Sequence, residues 1–291
     1  MALAVACVTA GDPSQTSAET IKQPAEKDER DVSASGPTLE QPAAAASLAQ
    51  TARTEKRNVV LIHLESTRAQ SVTPCCKDIE TTPFLDELAK SSLLAEHAYT
   101  VVPHTFKASV SVNCGIEPHP VQEHTEAKPN GIPLPCLASL LKHQGYVTVF
   151  FQSSTKDLDN FEDLAKNFGY EKFYALESMD TESLQQVSSF SYEDNIMLQP
   201  SEEWLREHTG KSFVAEYRTG AGLYDYQCVP NRYGSENFSE VDKLNSYLNC
   251  LRYQDFFVKN LIDQYKELGL YDNSIFVIFG DHGEGLCEHG R

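Results

Sequence analysis

Ile275-Phe-Val-Ile-Phe-Gly-Asp-His-Gly-Glu-Gly285 is the stretch on which the reading of the fold turns: a short apolar run enters a glycine and then an acid-histidine pair. A run of that kind suits a strand buried on both faces of an α/β sheet, and open sheets of this class place their chemistry beyond the carboxyl ends of the strands. Asp281 and His282 stand at that edge. A carboxylate beside an imidazole is a metal-ligand pair, and Gly280 and Gly283 let the backbone turn tightly toward a bound anion. The competing reading of the same residues is an ordinary strand-to-loop turn with a solvated Asp-His.

A second strand delivers a similar group. Asn58-Val-Val-Leu-Ile-His-Leu-Glu65-Ser-Thr-Arg68 carries Glu65 to its carboxyl end, followed by hydroxyls and an arginine. One acid after a strand is usually a helix cap, whereas two strand-end acids can converge on one cation. The segment from Ala98 to Val102 reads as a strand, Pro103 as a break, and the residues after it as a short helix whose first turn holds Thr105. A hydroxyl at a helix N-terminus meets free N–H groups and the positive end of the macrodipole, which favour an attacking alkoxide and an anionic ester. Thr105 as a plain helix cap is the alternative. Lys107 is a candidate to neutralise substrate charge, or a solvated side chain.

The remaining elements alternate. Thr82-Pro-Phe-Leu has a cap residue and a proline at the first helical position, opening an amphipathic helix that runs to Leu94. Pro135 to Lys142 reads as a helix, Tyr146 to Gln152 as a strand, and Asn160 to Phe168 as a helix ended by Gly169. Ser212 to Tyr226 reads as a strand entering a glycine-rich loop, and Ser239 to Leu268 as one long helix. The pattern predicts a three-layer α/β/α sandwich with a mixed, mostly parallel sheet.

Composition sets limits. The chain has 291 residues, a formal net charge of -18 and a pI near 4.9, which argue against nucleic acid and anionic membrane surfaces as partners. An anionic ester would need a metal or local cations at its site. Residues 1–56 are rich in Ala, Ser, Thr, Pro, Gln and Glu, and are expected to be a disordered leader or the remnant of an export signal. Ala4-Val-Ala-Cys7 resembles a lipoprotein cleavage box. No run of about 18 apolar residues occurs, so no transmembrane span is expected. The eight cysteines are too scattered for a disulfide scaffold, and none forms a CxxC zinc pair; the redox compartment is left open.

Taken together, these motifs resemble the sulfatase-like branch of the alkaline phosphatase superfamily, most of all the lipoteichoic acid synthase and phosphoglycerol transferase group. The likeness rests on the strand ending in Glu65-Ser66, on Thr82-Pro-Phe-Leu, on Thr105 followed by Cys114-Gly-Ile-Glu-Pro118, and on Gly280-Asp-His-Gly-Glu-Gly-Leu-Cys-Glu-His-Gly290. It spans nearly all of 57–291. The resemblance implies an alkaline phosphatase-like fold and one divalent cation held by Glu65, Thr105, Asp281 and His282. It also implies Thr105 as nucleophile and His289 beside the substrate anion. The Glu and His donors favour Mn²⁺ or Zn²⁺, with Mg²⁺ and Ca²⁺ as alternatives. The expected substrate is a phosphate or sulfate ester, with a lipid or glycan headgroup among the candidates, in an extracytoplasmic setting.

Two departures stand out against that family. Leu223 occupies the place of a substrate-contacting histidine, and the chain ends at Arg291 without the subdomain that follows in the family, so 57–291 is expected to be incomplete at its C-terminus, with a face or an edge of the last strand left uncovered. Cys136-Leu-Ala-Ser139 superficially fits a formylglycine signature, but Leu140 replaces its arginine, and the segment reads as core. A threonine nucleophile fits phosphoryl transfer better than sulfate hydrolysis, giving a covalent Thr-ester released to water or an acceptor alcohol. The alternative is a catalytically inactive binding module that keeps only the fold.

Overall fold

The computed structural model describes residues 4–8, 56–119, 123–227 and 230–286. The sheet has seven strands in the order β3-β1-β7-β2-β6-β4-β5. These are β1 (Ala4–Val8), β2 (Asn58–Leu64), β3 (Leu93–Leu94), β4 (Val147–Gln152), β5 (Lys172–Tyr174), β6 (Phe213–Arg218) and β7 (Ser274–Gly280). The five strands from β7 to β5 are parallel, and β1 and β3 add an antiparallel edge. The mixed, mostly parallel sandwich expected from the sequence is therefore what forms.

Side chains alternate across the sheet with period two, and each face has its own helices. Val60, Ile62 and Leu64 of β2, Ala215 and Tyr217 of β6, and Phe276 and Ile278 of β7 pack with α1 (Pro83–Ala89), α5 (Leu198–Glu207) and α6 (Asp242–Glu267). Phe150 and Val214 face the other way, onto α2 (Thr105–Cys114), α3 (Leu137–Lys142) and α4 (Phe161–Phe168). Residues 63, 216 and 218, of opposite parity to the first set, share this second face.

The structure corrects several expectations. Ala4–Val8, placed by composition in a disordered leader, pairs antiparallel with β7 from Ala4↔Phe279 to Val8↔Ile275. A parallel edge strand presents unpaired N–H and C=O groups, and this segment satisfies them; the edge expected to be bare is covered. Ala98–Val102 is irregular rather than a strand, despite its β-branched residues. Helix α1 ends at Ala89, and β3 follows it. Thr82 does not cap α1, because its hydroxyl oxygen accepts a bond from the Thr73 N–H instead. The free N–H groups of Phe84 and Leu85 donate to the Asp255 carboxylate of α6, at 2.9 and 2.8 Å, so the cap comes from a distant helix.

Cys114, the last residue of α2, is bonded to Cys136, which precedes α3. Among residues that sequence alone left unpaired, this link ties the helix bearing Thr105 to its neighbour. It also bears on the compartment, since persistent disulfides belong to oxidising environments. Closing a loop with a separation of 22 residues predicts a contribution of about 3 kcal/mol. Reduction, or Cys136→Ser, should lower the denaturation midpoint by the equivalent of that amount; an unchanged midpoint would show that the α2–α3 packing alone suffices.

Candidate active site

Strands β2 and β7 are adjacent, parallel and in register, with Leu64 opposite Gly280. Their carboxyl ends therefore deliver Glu65 and Asp281 side by side. The approach needs glycine at 280, where a Cβ would lie 2.2 Å from the Thr67 carbonyl oxygen. The role foreseen for Gly280, close approach to an anion, gives way to close approach between two chain segments. Ser66 turns the chain with φ of 54°, and its N–H donates to Asp281 Oδ1 at 2.9 Å. Thr219 accepts the Glu65 N–H at 3.0 Å, and Gln254 of α6 donates to the Glu65 carbonyl at 3.2 Å.

Four of the side chains singled out in the sequence come together here. The Thr105 hydroxyl donates to Glu65 Oε1 at 2.8 Å and lies 3.0 Å from His282 Nε2. His282 Nε2 is 3.3 Å from Asp281 Oδ2 and 3.6 Å from Glu65 Oε1. Thr105 begins α2 without serving as its cap, the reading that competed with a chemical role. Lys107, in contrast, is not at the site. Two residues on in a helix turn the side chain about 200° away, and its ammonium is buried against Glu126 at 2.7 Å. His289 lies outside the described residues. Leu223 sits half-buried in the turn after β6, donating its N–H to Gly220. Cys136, as read from the sequence, is core.

The structure adds residues that the sequence reading passed over. His63, fully buried on β2, faces Asp281 Oδ2 at 3.1 Å and Glu216 Oε1 at 3.9 Å. Burial pulls its pKa down, but the Asp281, Glu216 and Glu65 carboxylates overcome that and raise it to about 9, so His63 is an imidazolium at neutral pH. Asp281 is correspondingly held below the usual carboxylate range: burial opposes its charge, and His63 and His282 together outweigh burial. Arg218, 1% exposed, donates from Nη2 to Glu65 Oε2 at 3.1 Å and from Nη1 to Gln152 Oε1 at 3.3 Å, stacked over the Phe161 ring at 4.0 Å. Glu216 accepts the Tyr170 hydroxyl at 2.7 Å. The signal for these three was available: charged residues inside strands that read as buried on both faces need partners.

The donor set fits a cation. His282 Nδ1 donates to the Gly283 carbonyl at 2.8 Å, which leaves the Nε2 lone pair aimed at two carboxylates and a hydroxyl. Burial lowers the His282 pKa, yet Asp281 and Glu65 raise it overall, as negative charges do when they converge on one nitrogen. Asp281 Oδ2 is buried and accepts no well-directed hydrogen bond. His63, Glu65 and Asp281 place side-chain N and O atoms within 4.8 Å of one another, with the protonated His63 as the fixed positive partner of the two acids and not a ligand.

The Sulfatase family model matches residues 57–291. A lipoteichoic acid synthase-like protein, YvgJ of Bacillus subtilis, is 25% identical over 239 residues, which are 78% of this chain and 37% of that protein. The chain thus spans little more than a third of that relative's length. Among solved structures, the lipoteichoic acid synthase LtaP of Listeria monocytogenes superposes with a TM-score of 0.69 at 21% identity, covering 80% of this chain and 57% of that one. The C-terminal periplasmic domain of EptC from Escherichia coli, in complex with Zn, gives 0.61 at 22%, covering 81% and 66%. These likenesses establish the fold.

Behind the site, Asp194 accepts the Ser153 hydroxyl and the Gly220 N–H, both at 2.6 Å, and so braces the loops after β4 and β6. Burial pushes its pKa up to about 7, the hydrogen bonds from Ser153, Gly220 and Ala221 offsetting only part. The folded state then keeps a proton that the unfolded chain releases near pH 4. Stability should fall as pH rises from about 4 through about 7, because the native state binds more protons over that window. Asp194→Asn should flatten this slope in denaturation midpoints recorded across the range; a slope identical to the parent's would rule out Asp194 as its source.

Proposed function

Because the chain belongs to the Sulfatase family, we propose that it cleaves or transfers a phosphate ester by attack of the Thr105 hydroxyl. The observation that carries this reading is the convergence of Thr105 Oγ on Glu65 Oε1 and His282 Nε2 at hydrogen-bond distance, at the N-terminus of α2. Glu65, Thr105, Asp281 and His282 would hold one divalent cation, Mn²⁺ or Zn²⁺ by the mixture of carboxylate, hydroxyl and imidazole donors. When bound, the cation would supply Lewis-acid charge that favours the threonine alkoxide and the ester oxygens.

The rest is the work of the chain's own residues. Glu65 Oε1 is placed to take the Thr105 proton as the Oγ–phosphorus bond forms and the bond to the leaving oxygen breaks, with that oxygen taking a proton from solvent. The N–H groups of the first turn of α2, unpaired within the helix, would be available to phosphoryl oxygens bound at Thr105. His63 holds Asp281 ionised although it is buried, and Arg218 pairs with Glu65 Oε2 at 3.1 Å. Water or an acceptor alcohol would then attack the phosphorus of the threonyl ester, expelling Thr105 Oγ, which recovers its proton.

A lipid or glycan phosphoester is the favoured substrate, supported by the naming of the relatives as lipoteichoic acid synthases. An extracytoplasmic setting is supported by the Cys114–Cys136 bond and by the periplasmic origin of the EptC domain. No helix among the described residues is long and apolar enough to cross a membrane.

Aryl phosphate monoesters, phosphodiesters and sulfates, assayed with metal restored after chelation, would rank the chemistries. Thr105→Ala should cut the rate by roughly a thousandfold or more and abolish a covalent adduct detectable by mass spectrometry. Asp281→Asn should lose metal affinity and turnover together, by at least the roughly 10–100-fold typical of perturbed metal sites. Near-normal turnover by Thr105→Ala would move the nucleophile elsewhere.

A further inference from the structure

Both candidate carboxylate ligands have one oxygen already engaged by the protein. Asp281 Oδ1 accepts the backbone N–H groups of Ser66 and His282, at 2.9 and 2.8 Å, which leaves Oδ2 between His63 on its buried side, at 3.1 Å, and His282, at 3.3 Å. Glu65 Oε2 accepts Arg218 Nη2 at 3.1 Å, which leaves Oε1 facing Thr105 and His282. The donors on Oε1 are the hydroxyls of Thr105 and Ser66, which rotate freely about a single bond. The donor on Oε2 cannot turn away. The Arg218 guanidinium is 1% exposed, clamped between Gln152 and the face of Phe161, and carried on a strand buried along its whole length.

We propose that Arg218 is a positioning residue that confines Glu65 to one-oxygen ligation and thereby makes the site discriminate against Ca²⁺. Resting on the cation reading above, the inference follows from what each ion needs. Ca²⁺ collects six to eight oxygens and often takes carboxylates through both atoms, whereas Zn²⁺ is satisfied by about four donors and accepts imidazole nitrogen. With Oδ1 of Asp281 and Oε2 of Glu65 both tied, the chain offers one atom each from Glu65, Asp281, Thr105 and His282. That is a set of four, and the Arg218 bond is the part of it that a side-chain substitution can release.

The test is a ratio, because Ca²⁺ and Zn²⁺ carry the same charge. Removing a buried arginine changes the field felt by either ion alike, so electrostatics cancels from the ratio of dissociation constants and ligation geometry remains. Calorimetric titration of the chelator-stripped 291-residue chain with each ion should give tighter Zn²⁺ binding for the parent. In Arg218→Met, which keeps a stem over Phe161 but has no donor, the Zn²⁺ preference should shrink by about tenfold, the scale on which outer partners tune metal sites. Arg218→Gln, too short to reach Glu65, should do the same. Both ions weakening alike would overturn the proposal and leave Arg218 a purely structural residue. A parent that binds neither ion would overturn the cation reading as well, a distinguishable result. Should both variants fail to fold, infrared difference spectra of the parent decide: carboxylate stretching modes with the wide separation of one-oxygen ligation support the proposal, and the narrow separation of two-oxygen ligation refutes it.

Discussion

Three carboxylates, those of Glu65, Glu216 and Asp281, are buried close together at the ends of three neighbouring parallel strands, and mutual repulsion would expel or neutralise them if nothing opposed it. The opposition is built into the same strands. His63 lies between Asp281 and Glu216, and Arg218 lies on Glu65. Each positive group shares a sheet face with the acids through the period-two alternation of β2 and β6. The result is a layer of alternating charge beneath α2, where each residue is held by a partner on a different strand. Such an arrangement stabilises little by itself, since desolvation consumes most of the Coulombic gain. Its effect is to hold the acids in fixed places where a cation and an anionic ester could use them.

The helices on the opposite face hold this layer at a fixed height. Tyr247 of α6 donates to the Ser66 carbonyl at 2.7 Å, and Gln254 reaches the Glu65 carbonyl and Thr219. The next residue after Gln254, Asp255, caps α1. A single long helix thus fixes the loop after β2, the loop after β6 and the start of α1. Burial drives the Asp255 pKa up to about 6 despite the two backbone bonds it accepts, a sign of how completely this contact is removed from water. On the other side, Thr105 is fixed by the α2–α3 disulfide and by Phe106 and Val110 in the second core. The nucleophile candidate comes from a helix and its acid partners from strand ends, and the packing of that helix on the sheet sets their distance.

Much of this was legible in the residues. Apolar runs ending in an acid identified β2 and β7, helix start and stop signals placed α4, α6 and the start of α1 within a few residues, and the shared strand-end chemistry of Glu65, Asp281 and His282 pointed to one edge. Local rules sufficed because strand burial and helix capping are local. They failed where a local preference was overruled. Ala98–Val102 has strand-forming residues but pairs with no strand among the described residues. Thr82 has capping chemistry but a better partner in Thr73. Ala4–Val8 lies in a stretch of leader-like composition yet meets an unpaired strand.

What the sequence determined by itself was the class of fold and four of the side chains at the candidate site, because both follow from periodicity and from residue types at strand ends. What only the tertiary structure decided was their surroundings. His63, Glu216 and Arg218 are charged residues embedded in apolar strands, and their meaning depends on strand order: β2 had to lie between β7 and β6 before His63 could touch Asp281 and Arg218 could reach Glu65. Lys107 shows the converse, two residues from Thr105 in sequence and turned by the helix to a different partner. Sequence distance sets which groups are near along the chain; pairing order across the sheet, fixed by contacts more than a hundred residues apart, sets which charges meet.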